Sequence, residues 1–185
     1  MDINKVIFDQ CKLYYGNFDL TDIDKLIESL RGKELGCSDG GVSFECSPEV
    51  RDIPFAGTLE RKIKGFQRVL KVDGKVEGEI LVLNNELLKM SLFEKKTITS
   101  NKLDKYVPVT GLIKNEAYAS LLVVGTEAGG EDVIIHIMNT YNSALNLETK
   151  DKEEGKCKVV FEAIYEDLNA TPPVEIYLPK EVVIP

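Results

Sequence analysis

Between Lys71 and Phe93 the chain reads KVDGKVEGEILVLNNELLKMSLF, and its period changes in mid-run. Up to Leu83, apolar Val76, Ile80 and Val82 alternate with charged Lys75, Glu77 and Glu79. Side chains on a strand point to opposite faces in turn, so this pattern predicts one long strand from Phe66 to Leu83 with a buried face and a charged face. After Asn84 and Asn85 the spacing of Leu87, Leu88, Ser91 and Leu92 becomes helical. A short amide side chain accepts hydrogen bonds from exposed first-turn N–H groups, so either Asn84 or Asn85 caps a short helix. A strand charged on one face and apolar on the other needs a second layer to cover only one side, which points to antiparallel β structure.

The remaining segments extend that reading. Residues 5–15, KVIFDQCKLYY, mix β-branched and aromatic residues and predict a strand ended by Gly16-Asn17. In DLTDIDKLIESLRGKELG, Ile23, Leu26, Ile27 and Leu30 form one helical stripe, with Thr21 as cap, Asp22 and Asp24 in the first turn, Arg31 near the end and Gly32 as the stop. Val42, Phe44 and Cys46 alternate with Ser43 and Glu45 on a further strand, and Pro48 and Pro54 keep later positions out of a central one. ERKIKGFQR is a basic, glycine-containing loop or hairpin arm, and residues 94–110 a connecting loop or edge strand. Residues 118–126 and 133–141 predict a hairpin around the turn EAGGED, and residues 156–167 a last strand after a charged turn. TPPVEIYLPKEVVIP is held extended by its prolines as a carboxy-terminal arm. Five or six strands and one or two helices result, without βα alternation. The expected class is mainly β (α+β): a single domain over residues 1–185, built as an antiparallel β-sandwich or half-barrel with a flanking short helix, an extended loop and the arm.

Composition removes several functions. Lys and Arg total 23 against 31 Asp and Glu, a net charge of -8, which argues against a dedicated nucleic-acid binder and against anionic membranes. No apolar run approaches the roughly 20 residues of a spanning helix, and MDINKVIFDQ lacks the basic start and apolar stretch of a secretory signal, so synthesis in the cytoplasm is expected. Cys11, Cys37, Cys46 and Cys157 show neither a C-x-x-C pair nor zinc-finger spacing and are expected as free, mostly buried thiols.

Reactive constellations are equally thin. The single imidazole, His136, sits between isoleucines on a strand, a packing or surface-lining position rather than a catalytic one. Glu77 and Glu79 on one strand face stand about 7 Å apart, a glycosidase-like separation, but no tryptophan offers a sugar platform and solvated acidic faces are common. The acidic turns TEAGGED and DKEEG lack the ligand pattern of a calcium loop, and Gly32-Lys33 and Gly155-Lys156 lack the rest of a phosphate loop. No catalytic, cofactor or metal residue is therefore assigned. The cluster Arg61, Lys62, Lys64, Arg68 is either an ordinary solvated loop or a contact element for acidic surface on a neighbouring copy.

GGVSFECSPEVRDIPFAG, then KIKGFQRVLKVDGKVEGEILVLNNELLKMSLF, and later LLVVGTEAGGEDVIIHIMNTYNSALNLETKDKEEGKCKVVFEAIYEDLNATPPVEIYLP, follow one another in an order that resembles the tail tube (major tail) proteins of long-tailed bacteriophages infecting low-GC Gram-positive bacteria. The resemblance covers residues 40–179; segment 20–36 is longer and more helical than that pattern, with the outer wall as one option for it. It implies a subunit of homo-hexameric rings that stack into a hollow tube, with strands joined into one inner barrel. Genomic DNA passes through without specific binding, and an acidic lumen keeps phosphates from adhering. The implied place is the tail of the virion, the implied partners are the chain itself and the tape measure, tail terminator and distal tail proteins, and no membrane or cofactor is involved. On this reading Lys75, Glu77 and Glu79 are candidate lumen residues, with Glu162 and Glu166 on a similar face of the last strand. Residues 58–68, with Arg61, Lys62, Lys64, Phe66 and Arg68, form a loop that orders on ring stacking, and residues 174–185 brace a neighbour by adding an extended segment to its sheet. The rival expectation is a monomeric β-sandwich module that binds carbohydrate or a cell-surface ligand; the absence of tryptophan and 8% aromatic content weigh against it.

Overall fold

The computed structural model describes residues 11–36, 38–54, 61–127, 130–149, 151, 155–168 and 171–180. In chain order these form β1 (Cys11–Gly16), α1 (Ile23–Leu30), β2 (Ser38–Asp52), β3 (Gln67–Ile80), α2 (Asn85–Met90), β4 (Phe93–Lys96), β5 (Lys105–Pro108), β6 (Ala119–Thr126), β7 (Asp132–Thr140), β8 (Asn142–Glu148), β9 (Lys156–Glu162) and β10 (Val174–Tyr177), with one 3-10 turn at Asn115–Ala117. The mainly β expectation holds, with more strands than the five or six expected.

Two antiparallel four-stranded sheets, ordered β1-β6-β7-β10 and β2-β3-β9-β8, face one another. Between them lie Leu13, Leu121, Val123, Ile135 and Ile137 from the first sheet and Val76, Ile80, Val159 and Phe161 from the second, all buried. Each such side chain contributes about 1.5–3 kcal/mol by leaving water. The even positions of β3 supply its inward face, as the alternation required, while Val82 lies past the strand end and is exposed.

A second cluster explains why β6 and β7 are apolar almost without interruption. Leu26 and Leu30 of α1 pack on Tyr14, Leu122 and Ile134, on the face of the first sheet turned away from the sandwich core. That sheet is therefore covered on both sides, whereas among the described residues no helix packs on the outer side of the other. The cap of α1 is Asp22 rather than Thr21: the Asp22 carboxylate accepts from the Lys25 N–H at 3.2 Å, while the Thr21 hydroxyl donates to Asp19 at 2.7 Å. The cap of α2 is Asn84, whose Oδ1 accepts from the Leu87 N–H at 2.8 Å.

The strand through Val42, Phe44 and Cys46 continues beyond Pro48 to Asp52 as the edge strand β2, where the proline's missing N–H faces no neighbour. β2 and β3 are longer than the sheet they border, so their far ends project as a two-stranded arm in which residues 45–52 and 67–71 are exposed. Glu49 pairs with Lys71 and Val50 with Val69, which leaves Leu70 as a one-residue bulge. Cys46 is exposed for the same reason, against the expectation of buried thiols; Cys157 is buried, Cys11 half-buried, and Cys37 lies outside the described residues.

Three further expectations need correction. Residues 142–148 form the strand β8, unforeseen because NSALNLE is polar at most positions. In place of a connecting loop or a single edge strand over 94–110, β4 and β5 pair with each other as a separate two-stranded ribbon that begins at Phe93. The start of the carboxy-terminal arm is not extended toward a neighbour: Val174–Tyr177 pairs antiparallel with Ile134–Ile137 of the same chain, and residues 181–185 lie outside the described part. Residues 5–10 and 58–60 also lie outside it, as do parts of both acidic turns.

Candidate functional site

On the second sheet, Lys75, Glu77 and Glu79 project outward from β3, and register brings β9 alongside with Glu162 opposite Lys75 and Lys158 opposite Glu79. These groups form a ladder of ion pairs. Lys75 Nζ lies 2.6 Å from one Glu77 carboxylate oxygen and Lys158 Nζ 3.2 Å from the other, while Lys156 reaches Glu79 at 3.5 Å. Hydrogen bonds from Lys75 and then Lys158 hold the Glu77 carboxyl below the usual carboxylate range, and the Glu77 partner pushes Lys75 up. A glycosidase acid requires a carboxyl whose proton is retained, and Glu77 is displaced the opposite way.

Glu162 joins this face at the end of β9, exposed. Glu166 does not: β9 stops at Glu162, and Glu166 stands in the bend that follows. Glu45 of β2 and Glu148 of β8 belong to the same surface, opposite Lys75 and Lys156 respectively. The result is a polar wall across all four strands, acidic on balance, whose two outer strands β2 and β8 each pair on one side among the described residues.

The basic residues divide between two settings. Arg61, Lys62, Lys64 and Phe66 occupy the tip of the arm, exposed, where the Phe66 N–H donates to the Ile63 carbonyl at 3.1 Å and the Ile53 N–H to the Phe66 carbonyl at 2.8 Å. Arg68 is not in a loop at all; it is a residue of β3 paired with Arg51 of β2. Sequence reading passed over Arg51, whose only signal was its distance from the turn, equal in effect to that of Arg68 once the pairing is known.

His136 lies on β7 with 5% exposure, its Nδ1 3.1 Å from Glu175 Oε2. The ionised carboxylate only accepts, so Nδ1 carries the proton and donates; Nε2, buried, has no hydrogen-bond partner among the described residues. The Tyr177 hydroxyl donates to the same Glu175 oxygen at 2.7 Å. This group ties β10 to β7 and presents no nucleophile.

Among the described residues no three His, Cys, Asp or Glu side chains are grouped to hold a metal, and no helix is long and apolar enough to cross a membrane. Comparison of the chain with protein-family models and with curated proteins finds no match.

Proposed function

We propose that this chain is a structural subunit that assembles with copies of itself into rings and stacked tubes of the phage-tail kind, through whose acidic bore DNA passes. One observation carries the reading: among the described residues the sheet ends on β2 and β8, each paired on one side, while the outward faces of its two central strands carry a ladder of ion pairs. Free strand sides template pairing with another chain, and ring closure removes them. The polar wall suits a surface that faces water after closure, and its carboxylates, which pair with Lys75, Lys156 and Lys158, spare a sliding polyanion phosphate contacts that would sum along a stack. Repulsion reaches about 8 Å at physiological salt, so it acts at the wall and not across the bore. Hexameric closure, the other tail components as partners and residence in the virion follow from the family resemblance of the sequence; the arm supplies the contact between successive rings.

Negative-stain microscopy of the purified protein over rising concentration tests this. Rings or tubes are expected; a monodisperse monomer at every concentration, by microscopy and sedimentation, overturns the reading.

A further inference from the structure

Past the bulge at Leu70, the arm sorts its residues by face. Val50 opposes Val69 on one side and Arg51 opposes Arg68 on the other. Directly opposed residues in an antiparallel ladder hold their Cβ atoms about 4.5–5.5 Å apart, so two guanidinium stems leave the same patch of the same face. Like charges so placed destabilise the ladder, and arginine does not relieve them by losing its proton.

The cation next along the same strand is neutralised. Just below the bulge, Lys71 reaches Glu49 at 3.5 Å and Asp73 at 2.9 Å. Above it, among the described residues, no carboxylate stands within ion-pair distance of Arg51 or Arg68. Asp52, the acidic side chain closest in sequence, is engaged instead by the Gln67 amide at 2.8 Å. On the opposite face Val50 and Val69 are 45% and 54% exposed. An isolated two-stranded ribbon is marginal in water even without such a clash.

We infer that Arg51 and Arg68 together form a carboxylate clamp for a second copy of this chain. The inference rests on the self-assembly reading and narrows it to a named pair. Two planar forks side by side suit bidentate recognition of carboxylate, which lysines at the arm tip do not provide. The occupant follows from charge: the chain carries -8 overall while this arm presents Arg51, Arg61, Lys62, Lys64 and Arg68, so a sister molecule is a complementary surface. Phosphate of a nucleic acid has the same chemistry, but the field of the whole chain repels it.

Arg68→Glu separates the possibilities. In the isolated chain it turns a like-charge pair into an opposite-charge pair, so the thermal midpoint of the monomer at low concentration should stay or rise. In assembly it sets carboxylate against carboxylate, and sedimentation velocity at about 0.15 M salt should show association weakened at least about tenfold, the loss of roughly one charge-assisted hydrogen bond. Arg51→Glu should behave likewise, and wild-type association should itself weaken as salt rises. Wild-type tubes together with unaltered association of both variants would overturn the clamp and leave self-assembly standing. A wild type that never associates removes both. A variant monomer that melts earlier than wild type contradicts the like-charge premise, and binding of a 20-base-pair duplex that Arg68→Glu abolishes reassigns the pair to phosphate and overturns the neighbour as occupant.

Discussion

Val174 on β10 lies against Gly74 on β3, so close that a Cβ on Gly74 could not coexist with its Cγ2 methyl. This contact locks the short last strand of one sheet onto the long strand of the other, and Ala163 leaves a hypothetical Cβ only 3.3 Å on a second side. Gly74→Ala should therefore cost about 1–3 kcal/mol by overpacking, seen as a lowered thermal midpoint. Val174→Ala in the same chain should recover part of that loss, a coupling that a double-mutant cycle measures. Additive effects would mean the two residues do not share the space.

Asn142 is 3% exposed and joins two sheet elements to α2: its Nδ2 donates to Ser91 Oγ at 2.8 Å and its Oδ1 accepts the Val160 N–H at 2.8 Å. Asn142→Leu leaves the buried Val160 N–H without its acceptor. A loss of about 1–3 kcal/mol is expected for that orphaned group, read from the urea midpoint at unchanged m-value.

Leu30 is 3% exposed beneath α1. Leu30→Ala should cost about 2–5 kcal/mol, since a rigid site collapses only partly around the missing atoms. Calorimetry checks the figure, and a value near zero would show that α1 is not seated on the sheet.

The β10 seam should depend on pH in one direction. The Tyr177 hydroxyl first, and His136 second, hold the Glu175 carboxyl below its ordinary range. A carboxyl whose folded pKa is depressed stabilises the fold above its unfolded pKa, and that stability is lost as pH falls through the folded value. Wild type should thus exceed Glu175→Gln in thermal midpoint at pH 7, and the gap should close on acidification below about pH 4. A gap that is constant down to pH 3 would rule out the ionised carboxylate as its source.

How much of this was legible follows the physics of each segment. The passage from β3 into α2 was readable because its period changes from alternation to helical spacing within one run, and the inward face at Val76 and Ile80 came with it. β6 and β7 were readable as a hairpin, though their unbroken apolar character acquires a cause only when α1 is seen on the second face. β8 escaped notice because an edge strand on a solvated wall has little apolar signal, and β10 because prolines on both flanks mask four residues of ladder. Cys46 shows a different limit: alternation says which side of a strand faces inward, not where the opposing sheet ends. For the candidate site, Lys75, Glu77, Glu79 and Glu162 share a face through register, which local pattern largely foretold. Arg51 beside Arg68 depends on pairing across a turn and on one bulge, and Glu166 on where β9 stops, neither of which is written locally.

The bulge at Leu70 leaves a last consequence. Because β3 spends one extra residue there, both strands keep their inward and outward sides in step beyond it, and the local twist and bend rise instead. Leu70 thus governs heading and not pairing: shortening the chain by that residue should preserve every rung of the hairpin yet straighten it, so that a fully folded molecule reaches for its neighbour in the wrong direction.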